Sequence, residues 1–367
     1  MKKNILSAEE RIRYSRHLIL PEIGHERQMK LKNSSVLMIG AGGLGCPVLQ
    51  YLTAAGVGKI GIIDNDKVDF TNLQRQIIYT TEDIGKYKAE VAQQRLSIQN
   101  PFVDFEVILK RFSSDNALEL VEKYDLIIDG SDNFETRYLL NDACVIKNKP
   151  FIYGSIYKFE GQVSVFNYKD GPTYRCLFPE PPNEGEMPNC SEIGVIGILP
   201  GVIGSLQANE AIKVLAEIGE PLNGKLLSID LLNNQFFSFD FEKVPEQCDI
   251  TELDIDYSLA CALPEVEDNI HLAPDKIATV LDHLDQWNLI DVRDEYEFEA
   301  DNIGGVNIPI YELEDEFDQI DPDKPTLVIC QVGLRSLQAV QLIKNHYPDI
   351  KIYHFEKGLD EALQYLS

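Results

Sequence analysis

Two short stretches hold residue types that do chemistry. The first is Gly40-Ala41-Gly42-Gly43-Leu44-Gly45, a G-x-G-x-x-G run set between an apolar segment and a helix-like one. Its glycines allow a tight turn and let an anion reach backbone N–H groups at a helix N-terminus. Asp64 closes the next apolar segment, where an acid would meet ribose hydroxyls. Up to this point a NAD-dependent oxidoreductase fits equally well. The polar run 64–76 then brings Asn72 and Arg75, and Gly85-Lys86-Tyr87-Lys88 adds cations ahead of a helix. Hydride transfer has no need of extra cations facing the phosphates. Attack on the α-phosphorus of a triphosphate does, because charge builds on the β and γ oxygens. Asp132-Asn133 follows the segment DLIIDG, on the sheet edge where ligands bind, and a carboxylate there can hold Mg²⁺.

The second stretch is Cys330-Gln331-Val332-Gly333-Leu334-Arg335-Ser336. It follows the apolar segment TLVI and precedes a helix-like SLQAVQLIKNH. A loop of this kind points several N–H groups at one sulfur, and Arg335 with the helix N-terminus would favour the thiolate. A persulfide anion would be held in the same way. A third candidate is Cys190, in the polar loop PNCSEIGVIGILPG, where a thiol near an activated carbonyl could act as a nucleophile.

The elements that must position these residues alternate. Strands are expected at 34–40, 59–64 and 125–130 and in FEVILKR, with helices at 46–56, 87–100 and SDNALELVEKY. This β-α-β-α-β rhythm predicts an α/β fold, a doubly wound and mostly parallel sheet over residues 1–241. Residues 242–270 are acidic and broken by proline, and read as a linker. A flexible chain of that length spans on the order of 30 Å, enough to visit a neighbouring site. Residues 271–367 form a small second α/β domain with strands at NLIDV, TLVIC and KIYHF.

The bulk numbers narrow the classes. A net charge of −27 repels a phosphate backbone, so a nucleic-acid partner is not expected. No apolar run reaches the length of a membrane span, and the polar N-terminus is not a secretory signal. Seven cysteines, an odd number in a long chain, argue against a disulfide framework. A cytoplasmic address is expected.

The segments RYSRH, GAGGLGCPVLQYLTAAGVGKIGIID, TNLQRQ, GSDN, FEGQVSVF and GVIGSLQANEAIK, in this order over roughly residues 7 to 240, resemble the ThiF/MoeB/HesA family of adenylyltransferases that activate ubiquitin-like proteins. The resemblance implies a Rossmann-like fold, a homodimer, ATP with Mg²⁺, and a small sulfur-carrier protein ending in Gly-Gly as substrate. It assigns Gly40, Gly42, Gly43 and Gly45 to the nucleotide loop and Asp64 to the ribose. Asn72, Arg75 and Lys88 fall on the triphosphate, and Asp132, beside Asn133, on Mg²⁺ and the adenylation step. Arg16 would reach the partner subunit's site, and Cys190 would attack the acyl-adenylate or an acyl disulfide. Relatives carry two C-x-x-C pairs that hold structural zinc. Here the pairs read Thr173-Tyr-Arg-Cys176 and Cys248-Asp-Ile-Thr251, so no complete zinc site is expected.

With NLIDVRDEYEFEADNIGGVNIP upstream of Cys330, residues 271–367 resemble a rhodanese domain. The loop has its six-residue C-x-x-G-x-R form, and Asp291 and Arg293 match its DVR element. Asp301-Asn302 replaces the usual Gly-His, and the late tryptophan is missing. The implied reaction is adenylylation of the carrier's tail followed by attack of a Cys330 persulfide loaded by a donor such as a cysteine desulfurase. The implied pathways are of the molybdopterin or thiamine type. A non-catalytic nucleotide- or sulfur-sensing module is the reading opposed by Arg75, Lys88, Asp132 and Cys330 together.

Overall fold

The computed structural model describes residues 5–181, 194–253, 257, 270–331, 333–355, 358–359 and 363. The chain divides into two compact units, Met1–Cys261 and Ala262–Ser367.

The first unit is built on an eight-stranded sheet. Its strands are β1 (Ser35–Ile39), β2 (Lys59–Ile63), β3 (Asp104–Ile108), β4 (Leu126–Asp129), β5 (Phe151–Tyr157), β6 (Glu160–Phe166), β7 (Lys225–Asp230) and β8 (Gln235–Asp240). They lie in the order β3-β2-β1-β4-β5-β6-β7-β8. The five from β3 to β5 run parallel, and β6, β7 and β8 are added antiparallel. Strands β1 and β4 are sequence runs of Val, Leu, Met and Ile because helices cover both faces of the sheet. After β1 the chain moves outward to β2 and β3, then returns across to β4. The carboxyl ends of β1 and β4 therefore part at a switch point, where open α/β sheets bind ligands.

Three glycines make that crevice narrow. A Cβ on Gly45 would stand 2.3 Å from the carbonyl oxygen of Gly40. One on Gly40, whose φ is +84°, would stand 2.9 Å from the carbonyl oxygen of Gly130. One on Gly130 would meet the Met38 methyl at 2.3 Å. Backbone thus lies directly on backbone where β1, β4 and the helix Gly45–Ala55 converge.

The stretch read from sequence as a linker begins packed on this unit. Pro245–Gln247 forms a 3₁₀ turn, Leu253 and Tyr257 lie against the core, and Tyr257 Oη donates to Asp142 Oδ2 at 2.7 Å. Aromatic and aliphatic side chains in an otherwise acidic segment account for this docking.

The second unit holds four parallel strands, β9 (Asn288–Asp291), β10 (Val306–Asn307), β11 (Thr326–Ile329) and β12 (Ile352–His354), in the order β10-β9-β11-β12. The helix Leu334–His346 starts directly behind the loop that leaves β11. Among the described residues no helix is long and apolar enough to cross a membrane.

Candidate functional sites

A cleft of about 480 Å³ opens at the β1/β4 switch point. The turn after β1 supplies Gly40, Gly42 and Gly43 to its wall, and the helix Gly45–Ala55 aims its N-terminus at it. Gly45 itself does not line the cleft; it gives the close helix–strand contact described above. Asp64, at the end of β2, accepts from the N–H of Ala41 on one oxygen and of Asp66 on the other, both at 2.7 Å. The carboxylate thereby ties the glycine turn to β2. Burial raises its pKa, and those two N–H groups oppose the rise.

Cations reach the cleft from several segments. Lys88 is buried, and its Nζ pairs with Asp66 at 2.9 Å. Arg75 donates to the carbonyl of Thr71 at 3.1 Å. Lys110 and Arg111 leave the end of β3, and Lys158 leaves β5. On the opposite side Asp132 is exposed, with Asn133 Nδ2 donating to it at 3.2 Å. Asn133 caps the helix Phe134–Ile146 by accepting from the Thr136 N–H at 2.9 Å.

Beneath Asp132 lies an anchor that sequence reading missed. Asp129 is fully buried and accepts from the Ser131 N–H at 2.9 Å and the Ser131 hydroxyl at 2.6 Å. Its other oxygen lies 3.4 Å from Arg137 Nε. Burial raises the Asp129 pKa, with Arg137 pulling against it. Arg137 also packs over the rings of Phe134 and Tyr153. This buried pair fixes the turn that presents Asp132.

The fold thus gathers Gly40, Gly42, Gly43, Asp64, Arg75, Lys88, Asp132 and Asn133 around one cleft. Arg16 is exposed on the helix Ser15–Leu18, and Asn72 is half-buried in a 3₁₀ turn; neither is among the described residues lining the cleft. Lys110 and Arg111 follow the carboxyl end of β3, which only the strand order brings to the cleft. Arg137 sits mid-helix and gave no local signal. Cys190 lies outside the described residues. A divalent cation held chiefly by phosphates needs only one or two carboxylates, which Asp132 fits.

The cysteines that remain of the two C-x-x-C positions come together. Cys176 and Cys248 meet, with Sγ atoms 3.6 Å apart, but Thr173 contributes a hydroxyl. Among the described residues no group of three His, Cys, Asp or Glu could hold a metal.

In the second unit Cys330 is buried at the end of β11. Its Sγ accepts from the N–H groups of Gly333 and Ser336, each at 3.2 Å, and lies 3.4 Å from the Ser336 hydroxyl. Gly333 has φ +92°, which bends the loop around the sulfur before the helix starts. Behind the sulfur, the Ser336 hydroxyl stands 3.3 Å from Nδ1 of buried His354. Burial lowers the His354 pKa to about 4, with help from neighbouring His271. Arg335 lies close enough to interact electrostatically with Cys330 and also takes a carboxylate partner. Its guanidinium forks onto Glu297 at 2.6 and 2.8 Å, because the carboxylate is a better partner than the neutral loop. The backbone N–H groups are the donors that reach Cys330. Asp291 and Arg293 form a buried ion pair at 2.7 Å, and Arg293 continues to Gln331 at 2.9 Å, bracing the loop.

Comparison with known proteins finds relatives for both units. The chain is 42% identical to the probable adenylyltransferase/sulfurtransferase MoeZ of Mycobacterium tuberculosis, across 92% of this chain and 89% of that one. It is 51% identical to the sulfur carrier protein adenylyltransferase of Thermus thermophilus, across 70% of this chain and 98% of that one. Among solved structures, Escherichia coli MccB with ATP superposes with a TM-score of 0.57 at 25% identity, covering 65% of this chain and 73% of that one. Residues 14–250 match the ThiF family and residues 276–363 the rhodanese-like domain, so the chain belongs to the ThiF family and carries a rhodanese-like domain after it.

Proposed function

We propose that this chain uses ATP to adenylylate the C-terminal glycine of a small ubiquitin-like sulfur carrier, then transfers sulfur to it through a persulfide on Cys330. One observation carries the first half: Arg75, Lys88, Lys110 and Arg111 converge on a glycine turn at a helix N-terminus, facing Asp132. This arrangement suits a triphosphate whose α-phosphorus is attacked. Gly40, Gly42 and Gly43 bring backbone N–H groups to the phosphates, and Asp64 faces the ribose. Lys88 and Arg75, with Asn72 nearby, neutralise the departing diphosphate. The carrier's carboxylate oxygen bonds to the α-phosphorus, and diphosphate leaves with the electron pair. Mg²⁺ bound at Asp132 would neutralise phosphate charge.

In the second half the persulfide sulfur of Cys330 attacks the glycyl carbonyl carbon, and AMP leaves. A second thiolate, assigned to Cys190, attacks the Cys330 sulfur of the acyl disulfide. That step releases a thiocarboxylate and leaves a protein disulfide, which an external thiol reduces. The Gly333 and Ser336 N–H groups hold the charge on the loaded sulfur. Arg335 acts through Glu297 to hold the start of the helix.

The same reading places the protein in the cytoplasm as a homodimer, with Arg16 of each subunit serving its partner, and with a cysteine desulfurase as sulfur donor. Residues 1–241 form the adenylation domain, 242–270 a linker and 271–367 the sulfur-transfer domain. ATP–diphosphate exchange that requires a carrier ending in Gly-Gly tests the reading. No exchange with any such carrier, in the presence of Mg²⁺, would sink it.

A further inference from the structure

Cys176 and Cys248 are 72 residues apart in sequence, yet their Sγ atoms lie 3.6 Å apart. The first belongs to the single helical turn Tyr174–Leu177, the second to the strap that leaves β8. Both are half-buried, so a small oxidant reaches them. The remaining described cysteines, Cys46, Cys144 and Cys330, are buried. Burial pushes the Cys46 thiol up to about 12 and the Cys144 thiol well above its usual value, which leaves both inert.

The surroundings of the pair distinguish its two members. Cys176 Sγ accepts from the N–H of Thr173 and of Val244, both at 3.3 Å, and contacts the Thr173 hydroxyl at 3.3 Å. Both sulfurs approach the carbonyl of Val244, Cys248 at 3.3 Å and Cys176 at 3.7 Å. Burial alone would raise the Cys176 pKa, but these hydrogen bonds lower it overall. Burial and the adjacent Cys176 push Cys248 up to about 11. The two backbone N–H groups on Cys176 would favour a thiolate there, next to a second thiol.

We propose that Cys176 and Cys248 form a reversible disulfide that locks the strap 244–257 onto the first unit. A disulfide bond is about 2.05 Å long, so the sulfurs must close by roughly 1.5 Å, within reach of a side-chain rotation and a small shift of the strap. The Cys176 thiolate attacks a low-molecular-weight disulfide and one thiol leaves. Cys248, on losing its proton, attacks the Cys176 sulfur of the mixed disulfide, and the second thiol leaves. Two cysteine thiols are oxidised and one external disulfide is reduced to two thiols. The bond would reinforce the Tyr257–Asp142 contact that docks the strap; Asp142 also pairs with Arg175 of this turn. It is independent of the sulfur relay proposed above.

The test uses the full-length protein, fully reduced and then exposed to glutathione disulfide. Non-reducing peptide mass mapping is expected to find a cross-linked peptide pair holding Cys176 and Cys248, lighter by two hydrogen atoms. Oxidation is expected to raise the melting temperature of the first unit by about 5 °C, and Cys248→Ser to remove that rise. Full alkylation of both cysteines after exposure to the oxidant would overturn the proposal. So would one equivalent of zinc per chain that is lost in Cys176→Ser, or glutathione retained on Cys176 with no cross-link. The mass readout on the unmutated protein stands even if a variant folds poorly.

Discussion

The nucleotide cleft and the sulfur loop share a plan, a parallel strand that turns sharply into a helix N-terminus, but they are filled differently. After β1 the turn provides mainly backbone, and its charged groups arrive from residues 64, 75, 88, 110, 111 and 132. After β11 the hydrogen-bond partners of the sulfur among the described residues, Gly333 and Ser336, come from its own loop, with His354 one contact further back. A site assembled from many segments depends on the whole sheet, whereas one built within a single loop depends on that loop's own bends. The difference follows from what is held: a triphosphate is long and highly charged, whereas a persulfide adds a single sulfur to the cysteine.

If the two sites are separate in this way, single changes will divide the reaction cleanly. Cys330→Ala is expected to abolish sulfur transfer by about 10³-fold or more while leaving ATP–diphosphate exchange intact. Asp132→Asn is expected to cut exchange by about 10²- to 10³-fold while thiosulfate sulfurtransferase activity stays unchanged. Loss of both activities in either variant would break the comparison. Next in size is Gly45→Ala, whose new methyl presses on the Gly40 carbonyl. It should lower the stability of the first unit by about 3 kcal/mol and leave the second unit's melting transition in place, as calorimetry would show.

A smaller effect separates the sites by pH. His354 titrates at about 4 in the fold against roughly 6.5 in an unfolded chain. The unfolded state therefore binds the extra proton between those values. The stability tied to neutral His354 is complete above pH 6.5 and declines as pH falls towards 4, by on the order of 2 kcal/mol. His354→Leu should flatten that decline in the second unit alone; equal pH curves for variant and parent would remove the assignment. The smallest effect is expected for Lys110→Ala. It should weaken ATP binding about tenfold and reduce its salt dependence, because one of several exposed cations is removed. Unchanged affinity by calorimetric titration would confine phosphate binding to Arg75 and Lys88.

What could be read from sequence follows the same division. The strand–turn–helix units were legible because β1, β2, β4 and β11 are apolar runs ending at glycine, aspartate or cysteine. The sulfur loop was legible almost completely, since its donors are neighbours of Cys330. The fork of Arg335 onto Glu297, 38 residues away, carried no sequence signal. In the cleft, Asp64, Arg75, Lys88 and Asp132 carried a sequence signal. Lys110, Arg111, Arg137 and the buried role of Asp129 depend on side-by-side strands and could not be seen from spacing. The docked strap was hidden for a similar reason, since Tyr257 finds Asp142 only 115 residues back along the chain.

The interlock of Gly40, Gly45 and Gly130 has an evolutionary corollary. Each of the three rests on carbonyl or methyl atoms within 3 Å of where a side chain would begin. A replacement at one cannot be relieved by a replacement at another, because every added carbon crowds the same space further. Shortening Met38 should therefore not rescue Gly130→Ala, because the Ile39 carbonyl oxygen would still stand 2.8 Å from the new methyl. The turn is an all-or-nothing inheritance, to be kept whole or lost with the crevice it shapes.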